Sequence, residues 1–293
     1  MPLRPLPENC HNVKSENKVM AAKPELAITR TAGKAKFYRD HGLPTLWYLS
    51  GPPQPGQLAH RMPYFRLCQG LVAYSEEHKK LWTPPIPDLP HDFPPIYVCR
   101  YPIDTEAFKG YRGDIAKALM IATMPMHYWA RIPGDWKGPW LLKICLSEGI
   151  PYQLIGFDND YPIWEDATPR AITSEAEMVE CLASHRVYGH TGTFLCRSPL
   201  EALAVGAPVV IRQTGASHYM TELPHGEGVE RVPDAPGRFM EAIRYYLAHP
   251  YAAVEMGQRG RERIAEFFSP DVVKKQWTRA FEGALSWSSQ AKE

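Results

Sequence analysis

The residues best suited to chemistry lie between His190 and Ile211. There Thr191-Gly192-Thr193-Phe194-Leu195-Cys196-Arg197-Ser198-Pro199-Leu200-Glu201-Ala202-Leu203-Ala204-Val205-Gly206 runs into Ala207-Pro208-Val209-Val210-Ile211. A polar glycine turn, a short helix, a glycine stop and a β-branched strand, in this order, present a helix N-terminus to an anion. The first N–H groups of a helix have no partner within it, and the helix dipole favours negative charge beside them. Ser198 is placed to cap the helix, Pro199 suits its first position, and Glu201 stands where a capping box puts its carboxylate. Two readings of Glu201 are open: a carboxylate that bonds only the backbone of Ser198, and one that accepts hydrogen bonds from a ligand. His190 closes the strand before the turn, where its imidazole either meets a ligand or is a structural hydrogen bonder.

The elements around this run must position it. Gly206 and Pro208 stop the helix, and Val209-Val210-Ile211 reads as a strand covered on both faces. Upstream, strands are predicted over 118–123, 152–156 and 186–190. Helices are predicted over 139–148 and over 175–183, the latter opened by the capping box Ser174-x-x-Glu177. Downstream, helices are predicted near 238–248, 251–268 and 270–285. In the last of these Val273, Trp277, Phe281 and Leu285 are spaced four apart as an apolar stripe. Such alternation implies βαβ units, a parallel sheet and helices on both faces. The first hundred residues offer strands at 25–29 and 45–49, a helix at 32–39, an apolar run at 67–74 and a helix opened by Ser75-Glu76-Glu77. The proline-rich stretch 83–95 reads as a connector, with a domain break after it.

At 293 residues and 44% hydrophobic, the chain can bury a large core or two modest ones. It has no apolar run of the roughly 18 residues a membrane helix needs, and its start lacks the apolar stretch of a signal peptide, so a cytoplasmic protein is expected. The six cysteines are dispersed without a C-x-x-C pair and read as free thiols rather than disulfides or a zinc site.

The 191–211 run resembles the sugar-nucleotide site of the retaining GT-B glycosyltransferases, whose donor domain carries a similar "LEA-A-G-PVV". The order of further segments matches that family. They are His41-Gly42-Leu43-Pro44-Thr45, Val72-Ala73-Tyr74-Ser75-Glu76-Glu77-His78, Pro102-Ile103-Asp104-Thr105, Arg131, Lys137-Gly138, and Tyr152-Gln153-Leu154-Ile155-Gly156. The resemblance implies two Rossmann-like domains with parallel sheets, the first shortened. It implies an acceptor-side domain over 1–104, a donor domain over 105–268, and a C-terminal helix over 269–293 that packs back towards the first. It further implies a nucleoside-diphosphate sugar as donor, a UDP-sugar, with no prosthetic group and no metal.

On that resemblance Arg131 and Lys137 stabilise the leaving phosphate, while His190, Gly192, Thr193, Phe194, Leu195, Ser198, Leu200 and Glu201 line the donor site, Glu201 accepting from the ribose hydroxyls. Taken alone, Arg131 and Lys137 read as solvated surface cations. Asp158 and Asp160 either reach the cleft or form an Asx-rich turn, and Trp136 and Trp140 either stack on a base or acceptor or are buried under a loop, the second reading being the commoner in each case. Two positions depart from the family. Thr193 stands where a first glutamate is common, and Ser50 replaces the histidine of a first-domain "HG". Both put catalysis in doubt and leave a sugar-nucleotide-binding homologue as the alternative. Residues 1–100 hold 13 Lys and Arg against 8 Asp and Glu, a net of +5, and the remainder is net −4. A basic acceptor half favours a polyanion such as hydroxymethylated DNA, with an anionic lipid or a glycan precursor as rivals.

Overall fold

A computed structural model describes residues 25–49, 57–83, 93–122, 148–156, 170–190, 197–213, 222–233 and 235–290. Two compact units emerge, one from Pro102–Pro270 and one from Pro2–Tyr101 together with Asp271–Glu293. Of the sequence readings, the helix at 139–148, Arg131, Lys137, Trp136, Trp140, Asp158, Asp160, Ser50 and the 191–196 turn lie, in whole or nearly so, outside the described residues.

The smaller unit is built on a parallel sheet of four strands in sequential order: β1 (Ala27–Thr29), β2 (Thr45–Tyr48), β3 (Gly70–Ala73) and β4 (Ile96–Val98). Helices α1 (Ala32–Asp40), α2 (Gln57–Phe65) and α3 (Glu76–Trp82) connect them. Successive strand residues point to opposite faces, and the burial follows that period. Trp47, Leu49, Leu71 and Ala73 pack with Ala35, Phe65 and Trp82 from the three helices. Leu46, Tyr48, Val72 and Cys99 form a second layer on the other face. Ser75 caps α3, its side chain accepting from the N–H of His78 at 3.0 Å. Burial pushes the Cys68 and Cys99 thiols up to about 12, so both are packing residues that stay protonated.

The second layer is closed by the C-terminal helix of the described chain, numbered α8 below, Pro270–Gln290. The four-residue stripe is only partly right. Val273 is buried and Trp277 and Phe281 pack against the layer, but Leu285 is exposed, and Ala280 and Ala284 are the residues shut off from solvent. A spacing of four advances about 40° around a helix at each step, so by the third step the stripe has wound off the buried face. The contrast predicts that Ala280→Asp, which buries an unpaired carboxylate, costs several kcal/mol in denaturant unfolding. Leu285→Asp should stay within about 0.5 kcal/mol. Equal effects would mean that the helix docks by another face.

The larger unit carries a parallel sheet of six strands in the order β10-β9-β8-β5-β6-β7. These are β5 (Ile115–Ala122), β6 (Tyr152–Gly156), the two-residue β7 (Arg170–Ala171), β8 (His185–His190), β9 (Val209–Gln213) and β10 (Val229–Pro233). The chain builds outward from β5 through β6 to β7, then returns to β5's other side with β8. The C-terminal ends of β5 and β8 are therefore a topological switch point, where ligands bind in open α/β sheets. Helix α4 (Glu175–Ser184) leads into β8. It is capped by Ser174, which accepts from the N–H of Glu177, while the Glu177 carboxylate takes the N–H of Thr173 rather than that of Ser174. Helix α5 (Arg197–Val205) joins β8 to β9, and α6 (Pro236–Ala248) and α7 (Pro250–Phe268) follow β10. One face of the sheet buries Met120, Val187 and Val210 under Phe239, Met240 and Ile243 of α6 and Met256 of α7.

Helix α2 and strands β4, β7 and β10 went unread in the sequence. Helix α2 contains Pro63 and follows a Pro- and Gly-rich stretch, both of which argue against a helix. Strand β4 has three residues beyond a proline run, β7 has two, and β10 is a short edge strand ending in Pro233.

Candidate functional site

Alternation along β8 sends Val187 and Gly189 to the α6 side, where a Cβ on Gly189 would meet Ile243, Phe239 and Met120. Tyr188 and His190 therefore face the side that carries α5. Tyr188 is buried, and its hydroxyl shares a 3.1 Å hydrogen bond with Ser198 Oγ. The same hydroxyl lies 3.5 Å from His190 Nδ1, the two rings being nearly parallel. The end of the strand and the first turn of the helix are thus tied by a buried phenol that the sequence reading passed over.

Helix α5 already includes Arg197, so Ser198 sits within the helix rather than at its cap. Glu201 is 4% exposed, and its Oε1 accepts from Arg197 Nε at 2.7 Å, one turn back. One of its partners is thus a side chain, so the carboxylate does not bond only the backbone of Ser198. From Pro199 to Val205 every residue of the helix is buried. Leu200 in particular is shut off from solvent altogether. Tyr188 thus links His190, at the C-terminal end of β8, to Ser198, and Leu200 and Glu201 follow on the same helix. Gly192, Thr193, Phe194 and Leu195 fall in the turn between, outside the described residues. Arg131 and Lys137 belong to the segment that leaves the neighbouring strand end, that of β5, and they too lie outside it.

The far end of α5 is held rigidly. Gly206 has φ +101°, and the N–H groups of Gly206 and Ala207 reach back to the carbonyls of Leu203 and Ala202 in a Schellman stop. Helix α7 crosses behind it on two glycines. A Cβ at Gly257 would overlap the carbonyl of Gly206, and one at Gly260 would lie 2.9 Å from Gly228 Cα. Arg261, also on α7, donates to the carbonyls of Ala204 and Phe108 through Nη1 and to that of Thr105 through Nη2. The motif Gly257-x-x-Gly260-Arg261 was a readable signal, since two glycines inside a helix lower its stability unless close packing needs them. Among the described residues no group of three or more His, Cys, Asp or Glu could hold a metal ion. None of the described helices is long and apolar enough to cross a membrane.

Residues 140–278 match the family described as "Glycosyl transferase-like". No curated protein matches the sequence. The structure is similar to that of HepE from Anabaena in complex with UDP and glucose, with TM-score 0.70 and 15% identity over 91% of this chain and 80% of that one. It is also similar to a sucrose-phosphate synthase from Thermosynechococcus elongatus, with TM-score 0.71 and 12% identity over 92% and 76%. A third likeness is to a variant of S. aureus TarM in complex with Fondaparinux, alpha-GlcNAc-glycerol and UDP, with TM-score 0.65 and 13% identity over 87% and 55%. The protein has the GT-B fold: two Rossmann-like units with parallel sheets, the N-terminal sheet the smaller. The glycosyl transferase-like segment lies mostly in its larger unit and ends within α8.

Proposed function

We propose that this chain is a retaining glycosyltransferase that moves a sugar from a UDP-sugar to an acceptor. The observation that carries the reading is Glu201, a carboxylate buried in the helix that follows β8 at the switch point of the sheet. A buried carboxylate at that place suits the two ribose hydroxyls of a nucleotide, which it can accept together. The glycosyl transferase-like match and the likeness to a UDP complex support it. In the reaction the bond between the anomeric carbon and the β-phosphate oxygen breaks, and its electron pair goes to the diphosphate. The acceptor hydroxyl oxygen bonds to the anomeric carbon and gives up its proton to the departing diphosphate. Charge grows on the departing phosphate, where Arg131, Lys137 and the N–H groups near Gly192, Thr193, Phe194 and Leu195 lower the barrier. His190, Ser198 and Leu200 complete the donor side.

In this reading residues 1–104 serve the acceptor and 105–268 the donor. The net charge of +5 on residues 1–100 favours a polyanionic acceptor, such as hydroxymethylated DNA, over a neutral glycan. Thr193 and Ser50 favour a second reading, a homologue that binds the sugar nucleotide but turns it over weakly. Incubation with several sugar nucleotides and, separately, hydroxymethylated DNA, an anionic lipid extract and simple glycans, read by mass spectrometry, tests all of this. Mass gain on DNA is expected. Binding without transfer to any acceptor would establish the second reading, and transfer to neutral glycans alone would remove the polyanion.

A further inference from the structure

We propose that Arg197 is a phosphate-binding residue of the donor site, its guanidinium aligned by Glu201; the inference rests on the donor-site reading of α5. Arg197 and Glu201 form an i,i+4 pair whose carboxylate is 5% exposed and whose guanidinium is 47% exposed. Nε, at 2.7 Å from Oε1, is the one guanidinium nitrogen of Arg197 that is hydrogen-bonded among the described residues. The four N–H groups on Nη1 and Nη2 therefore remain for another acceptor.

As a stabilising device the pair is poor. A cation in the first turn opposes the helix dipole, and the order with the acid C-terminal to the base is the weaker one for an i,i+4 pair. An exposed arginine also returns little of what burying a carboxylate costs. As a receptor the same arrangement is good. One edge of the fork is fixed by a buried anion, so less rotamer freedom is lost when the other edge closes on a ligand. The fork matches two oxygens of a phosphate, and an anion beside the first turn reverses the unfavourable sign of the dipole term. Tyr188 secures the same turn through Ser198, which keeps Arg197 in register with the end of β8.

The deciding experiment is calorimetry on the full chain with UDP and with uridine, comparing wild type, Arg197→Met and Arg197→Lys, each checked by thermal unfolding. Arg197→Met is expected to weaken UDP about 10- to 100-fold and leave uridine unchanged, because only the diphosphate contact is lost. Arg197→Lys should recover part of the loss, since lysine keeps the charge but not the fork. Equal weakening of UDP and uridine would make Arg197 a support for Glu201 alone and overturn the proposal. So would UDP affinity unchanged in Arg197→Met, with the donor site left standing. A folded wild type that binds neither UDP nor GDP would end both readings.

Discussion

Exchanging Glu201 for glutamine is expected to weaken UDP binding about 10- to 100-fold while leaving unfolding free energy within about 1 kcal/mol of wild type. The amide keeps the shape of the side chain, so the buried helix need not repack. Its oxygen can still accept from Arg197 Nε, and the half-exposed guanidinium finds water for the rest. What is lost is the negative charge, and with it the charge-assisted part of any bond to two vicinal hydroxyls. Titration calorimetry separates the two sides of the claim. Unchanged affinity would show that the carboxylate serves the protein rather than a nucleotide. A large loss of stability with affinity preserved would say the same more strongly.

A loss of stability is also expected from Gly257→Ala, against its helix propensity. In an ordinary helix interior the change should help, by about 1 kcal/mol of helix propensity. Here the added methyl would overlap the carbonyl of Gly206 and stand 2.6 Å from its carbon. Both partners are backbone, one in a helix and the other in a left-handed stop, so neither can swing aside as a side chain would. Overpacking of this kind costs about 3 kcal/mol or more, enough to reverse the sign. For a unit of this size that is a fall of roughly 6–12 °C in the melting midpoint, to be read by scanning calorimetry. A rise in the midpoint would mean that the close crossing of α5 and α7 is wrong.

The fold was legible where local chemistry and long-range packing agree. The caps Ser75 and Ser174 start their helices as expected, and Gly206 stops α5. The unbroken apolar run at 209–211 is a central strand covered on both sides. Elements whose local signals point the wrong way were missed. Pro63 is inside a helix, and the three residues of β4 gain their strand character only from pairing with β3. At the site, Glu201 could be singled out by type and position, but its partner could not. An i,i+4 Arg–Glu pair is visible in any sequence as a surface decoration, and only the burial of one member makes it significant. Tyr188 was hidden for a related reason. A tyrosine within a strand reads as packing, and nothing local reveals that its hydroxyl meets a helix turn ten residues on.

The smaller unit is discontinuous along the chain, with a consequence for its synthesis. Leu46, Tyr48, Val72 and Cys99 are translated early, yet the residues that cover them, Ala280 and Ala284 of α8, come about 180 residues later. At ordinary ribosome speeds of about 5–20 residues per second, that is an interval of roughly 10–35 s. During it the sheet can complete its α1–α3 face while the opposite face stays bare and apolar. The larger unit, continuous from Pro102 to Pro270, is free to fold in the meantime. A nascent chain halted anywhere before α8 is thus a natural client for a chaperone that binds exposed apolar sheet, and release from it coincides with the arrival of residues 271–290.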